Sequence, residues 1–293
     1  MSETSDKLRR DFGEGDAKRD AGLTTPEDIR RFDDIVYGDD PKWQVLDAYR
    51  PKAAEGKKLP VIISFHGGGW VYGSKEIYQF YCMSLAQRGF AVVNFTYRLA
   101  PEVKFPAPLE DMNLVMNWVL DHAEEYGFDT DRIFAVGDSA GGNGLGLYSA
   151  FLTNPEYAKK FTFRAPEKAR LRGIALNCGV FDPESETTSD LNRPALMADY
   201  LPGKGTREEY DMINVLKHVT ESFPPTFLMT CAQDFLKPQA GILAEVLTQK
   251  NVPFVYRFYS DPEQPLWHVF HCDVRNEWGR RCNDDECDFF RSL

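Results

Sequence analysis

Ser139 lies in Gly137-Asp138-Ser139-Ala140-Gly141-Gly142, directly behind the apolar run Ile133–Val136. A Gly-x-Ser-x-Gly sequence between a strand and a helix permits a tight elbow that lifts the serine hydroxyl above a sheet, and only small flanking residues tolerate so sharp a turn. The helix opening there aims its partial positive charge at the serine, so an oxyanion formed at Ser139 is stabilised. A second cluster, His66-Gly67-Gly68-Gly69-Trp70, follows the apolar run Val61–Phe65. Three consecutive glycines leave backbone N–H groups unobstructed by side chains, which suits close approach to a developing negative charge. Gly68 and Gly69 are the expected donors, Gly67 shapes the turn, and the Ala140 N–H completes an oxyanion hole. Together the clusters point to serine attack on a carbonyl. A dinucleotide loop is the weaker reading, because Gly142-Asn143-Gly144-Leu145-Gly146 lacks the Gly-x-Gly-x-x-Gly spacing.

A serine nucleophile needs a base. His122 and His218 sit in helical patterns among charged neighbours and read as solvated, and His66 belongs to the glycine loop, where a structural hydrogen bond is the simpler role. His268 and His271 remain, beyond the last expected strand, where the chain order Ser, Asp, His puts the base. The acid that orients the imidazole follows the preceding strand, Thr226–Cys231, which selects Asp234 over Asp261 in the later Pro-containing loop. Trp70 and Tyr72, beside the oxyanion loop, and Asp138, next to the serine, are candidate walls of a substrate pocket. The two aromatics would narrow an acyl site towards acetyl or other short chains.

These groups need a rigid frame. Short apolar runs alternate with helical patterns, which predicts a parallel sheet. The expected buried strands are Val61–Phe65, Ala91–Tyr97, Ile133–Val136, Gly173–Cys178, Thr226–Cys231 and Phe254–Tyr259, with Ile29–Val36 and Trp43–Tyr49 as early antiparallel additions. Leu109, Met112, Val115, Met116, Val119 and Leu120 repeat at helical spacing before Gly127, and a second helix runs from about Lys75 to Arg88, stopped by Gly89. Residues 1–28 and 181–223 fit the alternation badly and are candidates for a cap over a single domain spanning 1–293. The tail acids Asp284, Asp285, Glu286 and Asp288 read as a solvated helix face, with Phe289 and Phe290 turned inward or against another subunit, which is compatible with a homodimer.

The 293 residues carry 34 basic and 45 acidic side chains, net -11, so there is no global electrostatic reason to expect nucleic acid or anionic lipid as a partner. The charged N-terminus lacks the apolar stretch of a secretory signal, and no apolar run of about eighteen residues occurs. A cytoplasmic protein with no membrane partner and six mostly reduced cysteines is the expectation, and the sequon at Asn94 is discounted because it falls within a strand. His271, Cys272, Cys282 and Cys287 lack the paired short spacings of structural zinc sites, so no metal is expected.

His66-Gly-Gly-Gly-Trp70, Tyr97-Arg-Leu-Ala-Pro-Glu102 with Phe105-Pro106-Ala107, and Gly137-Asp-Ser-Ala-Gly-Gly142 together resemble the hormone-sensitive lipase (HSL)-like family of α/β-hydrolase carboxylesterases over about residues 60–270. The resemblance implies the α/β-hydrolase fold: a mostly parallel twisted central sheet flanked by helices, with a small helical cap from the N-terminal segment and an insertion after the sixth strand. It implies Ser139 as nucleophile, Asp234 as acid and His268 as base, with no cofactor and a small-molecule ester as substrate. Acetyl esterases are among the similar members. Two positions depart from the family pattern: Val269 replaces the glycine after the histidine, and Asp234-Phe235-Leu236 replaces Asp-Pro-Leu, so His271 stays open as a second base. A non-catalytic small-molecule binder on the same fold is the competing function, and it would be expected to have lost the serine or the histidine.

Overall fold

The computed structural model describes residues 2–185 and 193–293. Its frame is one eight-stranded sheet made of β1 (Ile29–Val36), β2 (Val45–Pro51), β3 (Leu59–Phe65), β4 (Ala91–Phe95), β5 (Phe128–Asp138), β6 (Gly173–Asn177), β7 (Thr226–Cys231) and β8 (Phe254–Tyr259). The spatial order is β1-β2-β4-β3-β5-β6-β7-β8, with β1–β2 and β2–β4 antiparallel and every later pair parallel. Side chains alternate between the two faces of a strand. Val61, Ile63 and Phe65 thus enter one core while Ile62 enters the other, and Ile133 and Ala135 part from Phe134 and Val136 in the same way. Both faces are covered, which explains why the central strands are apolar throughout.

Among the described residues, ten α-helices surround the sheet: α1 (Glu3–Asp20), α2 (Lys75–Gln87), α3 (Ala107–Asp121), α4 (Ala123–Tyr126), α5 (Ser139–Thr153), α6 (Pro155–Ala158), α7 (Arg193–Tyr200), α8 (Arg207–Ile213), α9 (Lys237–Gln249) and α10 (Glu277–Arg291). Apolar residues of α3, α5 and α9 fill one core, and those of α2 and α10 fill the other. Gly89 follows α2 with φ of +94°, the left-handed stop expected of it, whereas the helix that carries Leu109 and Leu120 already ends at Asp121 and Gly127, at φ +67°, ends the short α4 instead. No helix among the described residues is long and apolar enough to cross a membrane.

The N-terminal segment, which fits no strand–helix alternation, is an eighteen-residue helix. It has few large apolar residues and is held by polar anchors instead. The Ser2 and Ser5 hydroxyls donate to Asp199 of α7 at 2.7 and 2.6 Å. Arg9 donates to the carbonyls of Val71 and Ala100 at 2.7 and 2.8 Å and pairs with Glu102 through both terminal nitrogens. Of the 181–223 segment, residues 186–192 lie outside the described residues, while α7 and α8 supply its helices.

Two surface expectations are corrected. His218 is buried rather than solvated, because its ring stacks on Tyr157 at 3.9 Å and its Nε2 bonds the Asp211 carbonyl at 2.8 Å. Glu286 is also buried, because α10 turns it between α2 and β6, where Tyr81 and Asn177 donate to its two oxygens at 2.9 and 2.7 Å. Phe289 and Phe290 do pack inward.

Candidate active site

Ser139 stands where β5 stops and α5 starts, with φ at +52°. For a residue with a side chain this left-handed conformation costs roughly 1–2 kcal/mol, and it persists because the surroundings over-determine it. A Cβ at Gly141 would come within 2.0 Å of the Phe65 carbonyl oxygen, so α5 can approach β3 this closely only with glycine there. The helix start leaves the Ala140 N–H without an intrahelical acceptor.

Asp234 follows β7, and His268 lies beyond β8. Asp234 Oδ1 and His268 Nδ1 are 2.7 Å apart. The carboxylate also accepts from the Thr230 hydroxyl at 2.7 Å and the Leu236 N–H at 2.9 Å. Burial opposes its ionisation, but the bonds from His268, Thr230 and Leu236 outweigh that and hold the carboxyl below its ordinary value. His268 faces the same pocket as Ser139. No hydrogen bond joins the two, and the bond His268 makes is to Asp234.

His271 does not enter this arrangement. It is fully buried, its ring edge-on to Tyr81 at 5.0 Å, and burial pushes its pKa down to about 3. His66 is likewise structural. It stacks on Tyr97 at 4.1 Å, bonds the Gly67 carbonyl through Nδ1 at 2.7 Å, and is held neutral by burial with a pKa of about 4. Asp261 turns away, accepting from the Glu263 and Gln264 amides and the Trp278 indole. Among the described residues, His271 and Cys272 cluster with Asp138 and not with Cys282 or Cys287, so the zinc quartet is not assembled.

The glycine loop runs beside the elbow. Gly67 N–H is committed to the Tyr78 hydroxyl at 3.0 Å. Gly68 and Gly69 take φ of +118° and +60°, and among the described residues neither donates its N–H to another group. Tyr72 lines the pocket, and its hydroxyl donates to Asp16 of α1 at 3.0 Å. Trp70 does not line it: the indole is buried against Tyr200, stacked at 4.9 Å, and its backbone takes φ of +64°. Asp138 borders the pocket while its carboxylate is engaged by Tyr78 at 2.7 Å.

The remaining wall comes from the N-terminal segment that the sequence offers as a cap candidate without singling out any of its residues for the site. Asp11, Phe12, Gly15, Asp16 and Arg19 of α1 close one side of a cavity of about 180 Å³. Arg19 bridges Asp16 and Asp20 and donates to the Ile77 carbonyl, so the acidic helix is docked by its own cation. The sequence marks the segment as a cap candidate but does not say where the helix lands.

An eight-stranded, mostly parallel sheet with a strained serine at a strand-to-helix elbow defines an α/β-hydrolase. The BD-FAE family model matches residues 46–244. The chain is 26% identical over 236 residues to versiconal hemiacetal acetate esterase of Dothistroma septosporum, covering 75% of this chain and 70% of that one. It is 27% identical over 211 residues to esterase LipC of Mycobacterium tuberculosis, covering 70% of this chain and 51% of that one. Some relatives are therefore about twice the length of the stretch they share. A crystal structure of Lactobacillus rhamnosis esterase B inhibited by a C4-C4 tributyrin phosphonate superposes with a TM-score of 0.88 at 27% identity, covering 100% of this chain and 96% of that one. The chain belongs to the BD-FAE family and, with these esterases, to the HSL-like α/β-hydrolase carboxylesterases.

Proposed function

We propose that the protein is a serine carboxylesterase that cleaves short-chain esters, acetyl esters above all, through an acyl-enzyme. The observation that carries this reading is Ser139, held at φ +52° and facing one small cavity with His268, which is itself bonded to Asp234. His268 takes the proton as Ser139 attacks the ester carbonyl, and Asp234 fixes the ring and stabilises the imidazolium. The Gly68, Gly69 and Ala140 amides receive the oxyanion, and the alcohol leaves with the proton that His268 returns. Water then repeats the sequence on the acyl-Ser139 ester.

Chain-length preference follows from volume. The cavity of about 180 Å³ is small beside ordinary ligand pockets of roughly 300–1,000 Å³. Tyr72 and Phe12 meet edge to face at 5.9 Å and narrow it further. Residues 1–28 and 181–223 form the cap, and the anchors between α1 and α7 support that division. The acetate ester named for one relative and the tributyrin phosphonate that inhibits a similar esterase support a short acyl chain.

The test is hydrolysis of p-nitrophenyl acetate, butyrate, octanoate and laurate by the parent and Ser139→Ala. Activity should fall with chain length and drop by at least about a thousandfold in the variant. Turnover surviving in Ser139→Ala would overturn the nucleophile assignment, and no turnover by folded parent on any chain would favour a binding role.

A further inference from the structure

We infer that Tyr78 is a positioning residue whose single hydroxyl holds the glycine loop in register with the serine elbow. The inference rests on the esterase reading above for its kinetic consequence, but its structural content stands independently. The hydroxyl donates to Asp138 Oδ2 at 2.7 Å and accepts from the Gly67 N–H at 3.0 Å. Asp138 is covalently next to Ser139, and Gly67 is next to Gly68. One oxygen atom therefore spans the two chain segments that must supply donors to the same oxyanion.

What the loop lacks without Tyr78 is a hold on its glycine N–H groups. Gly68 and Gly69 occupy positive φ, where glycine has wide freedom, and their N–H groups have no acceptor among the described residues. Its other bonds are through carbonyls: His66 O accepts from the Tyr97 hydroxyl, Gly67 O bonds His66 Nδ1, Gly68 O accepts from the Val71 and Tyr72 amides, Trp70 O accepts from the Ala100 amide and Val71 O accepts from Arg9. Among the described residues, Gly67 N–H is the one donor of these three glycines that is engaged, and Tyr78 engages it. The segments also touch, since a Cβ at Gly67 would lie 2.6 Å from Asp138 Oδ2.

The anchor comes from a rigid place. Tyr78 sits in the first turns of α2, whose start is tied to the end of β4: Lys75 N–H donates to the Thr96 hydroxyl at 2.9 Å, and the Asn94 amide donates to the Lys75 carbonyl at 2.7 Å. Tyr78 and Asp138 are both buried, where hydrogen bonds are strong and an unmade one is costly. Tyr78, which also lines the cavity, thus transmits the position of the sheet to the oxyanion donors.

Tyr78→Phe alone leaves the Asp138 carboxylate unpaired, so Tyr78→Phe/Asp138→Asn is made beside it to separate lost stability from lost positioning. Two readouts are taken on each. Amide hydrogen exchange over residues 66–72 should quicken at least about threefold in both variants while exchange in β3 stays as in the parent. With p-nitrophenyl acetate, kcat should fall about 10–100-fold with KM within about threefold, the range for misplaced donors, and should stay low in the double variant even where its Tm recovers. Unchanged loop exchange, or a kcat within twofold of the parent in the double variant, overturns the inference. A parent inactive on every ester would sink the esterase reading instead, and the exchange data would still decide whether Tyr78 holds the loop.

Discussion

At the residue scale the site separates two histidines that the sequence leaves side by side as candidates. His268 has a buried carboxylate at 2.7 Å to orient and stabilise its charged form, whereas His271, though near Asp138, Tyr81 and the Cys272 thiol, bonds no carboxylate and leaves its Nδ1 unpartnered among the described residues. An imidazole that must accept a proton during turnover needs the first environment and cannot use the second. His268→Ala should therefore lower kcat at least about a thousandfold, and His271→Gln should keep kcat within about threefold while lowering Tm. Steady-state kinetics and melting curves on the two proteins check this, and the reverse pattern would exchange their roles. Asp234→Asn should cost about 10⁴ in kcat by favouring the wrong tautomer. Val269 takes φ +55°, a region β-branched residues avoid. The backbone turn after His268 therefore keeps the form that glycine provides in the family pattern, although the glycine is gone.

At the scale of elements, what could be read in advance was what local pattern controls. The strands Thr226–Cys231, Phe254–Tyr259 and Ile29–Val36 have the expected bounds, and the first two are short apolar or β-branched runs between turn residues. The serine elbow and glycine loop were also legible, since their chemistry demands contiguous small residues. Helix α1 was not, because its partners are Asp199, Val71, Ala100 and Glu102, far away in sequence, and it has no apolar stripe to announce a docking face. Glu286 and His218 were misplaced for the same reason: a polar residue is buried or solvated according to partners that only the fold supplies. This mode of docking yields its own prediction. Arg9 clamps α1 to the oxyanion loop and to Glu102, and losing such charge-assisted bonds costs about 1–2 kcal/mol once partial exposure is allowed for. Arg9→Ala should raise KM for short esters several-fold by leaving the pocket wall undocked part of the time, with kcat less affected. It should also speed proteolytic cleavage within residues 3–20, and unchanged kinetics with unchanged cleavage would show that α1 is held by its other anchors.

At the scale of the whole molecule, one face of the sheet is closed by α2 and α10, and Glu286 is the polar point where α10, α2 and β6 meet. Burial pushes its carboxyl up to about 7, against the bonds from Asn177 and Tyr81. The native state thus keeps a proton that the unfolded chain has released above about 4.3. Glu286 consequently contributes stability that is fully present below the unfolded value and is lost as pH rises towards 7, by at most about 1.4 kcal/mol per unit, levelling off beyond. His66 and His271 act oppositely. Their values of about 4 and about 3 mean that the unfolded chain gains protons that the native state refuses, so stability falls as pH drops below about 6.5. The absolute profile of the parent mixes these slopes, but both histidines are common to the parent and to Glu286→Gln and cancel in the difference. The substituted amide would keep an acceptor for one partner and could donate to Asn177 Oδ1, which is unpartnered in the parent. The stability of Glu286→Gln relative to the parent, measured by urea unfolding at half-unit steps, should therefore increase from pH 5 to pH 7 and then stay level. A difference that does not change with pH would mean that Glu286 ionises in the core as readily as in water, and that the polar junction between α10, α2 and β6 is solvated rather than closed.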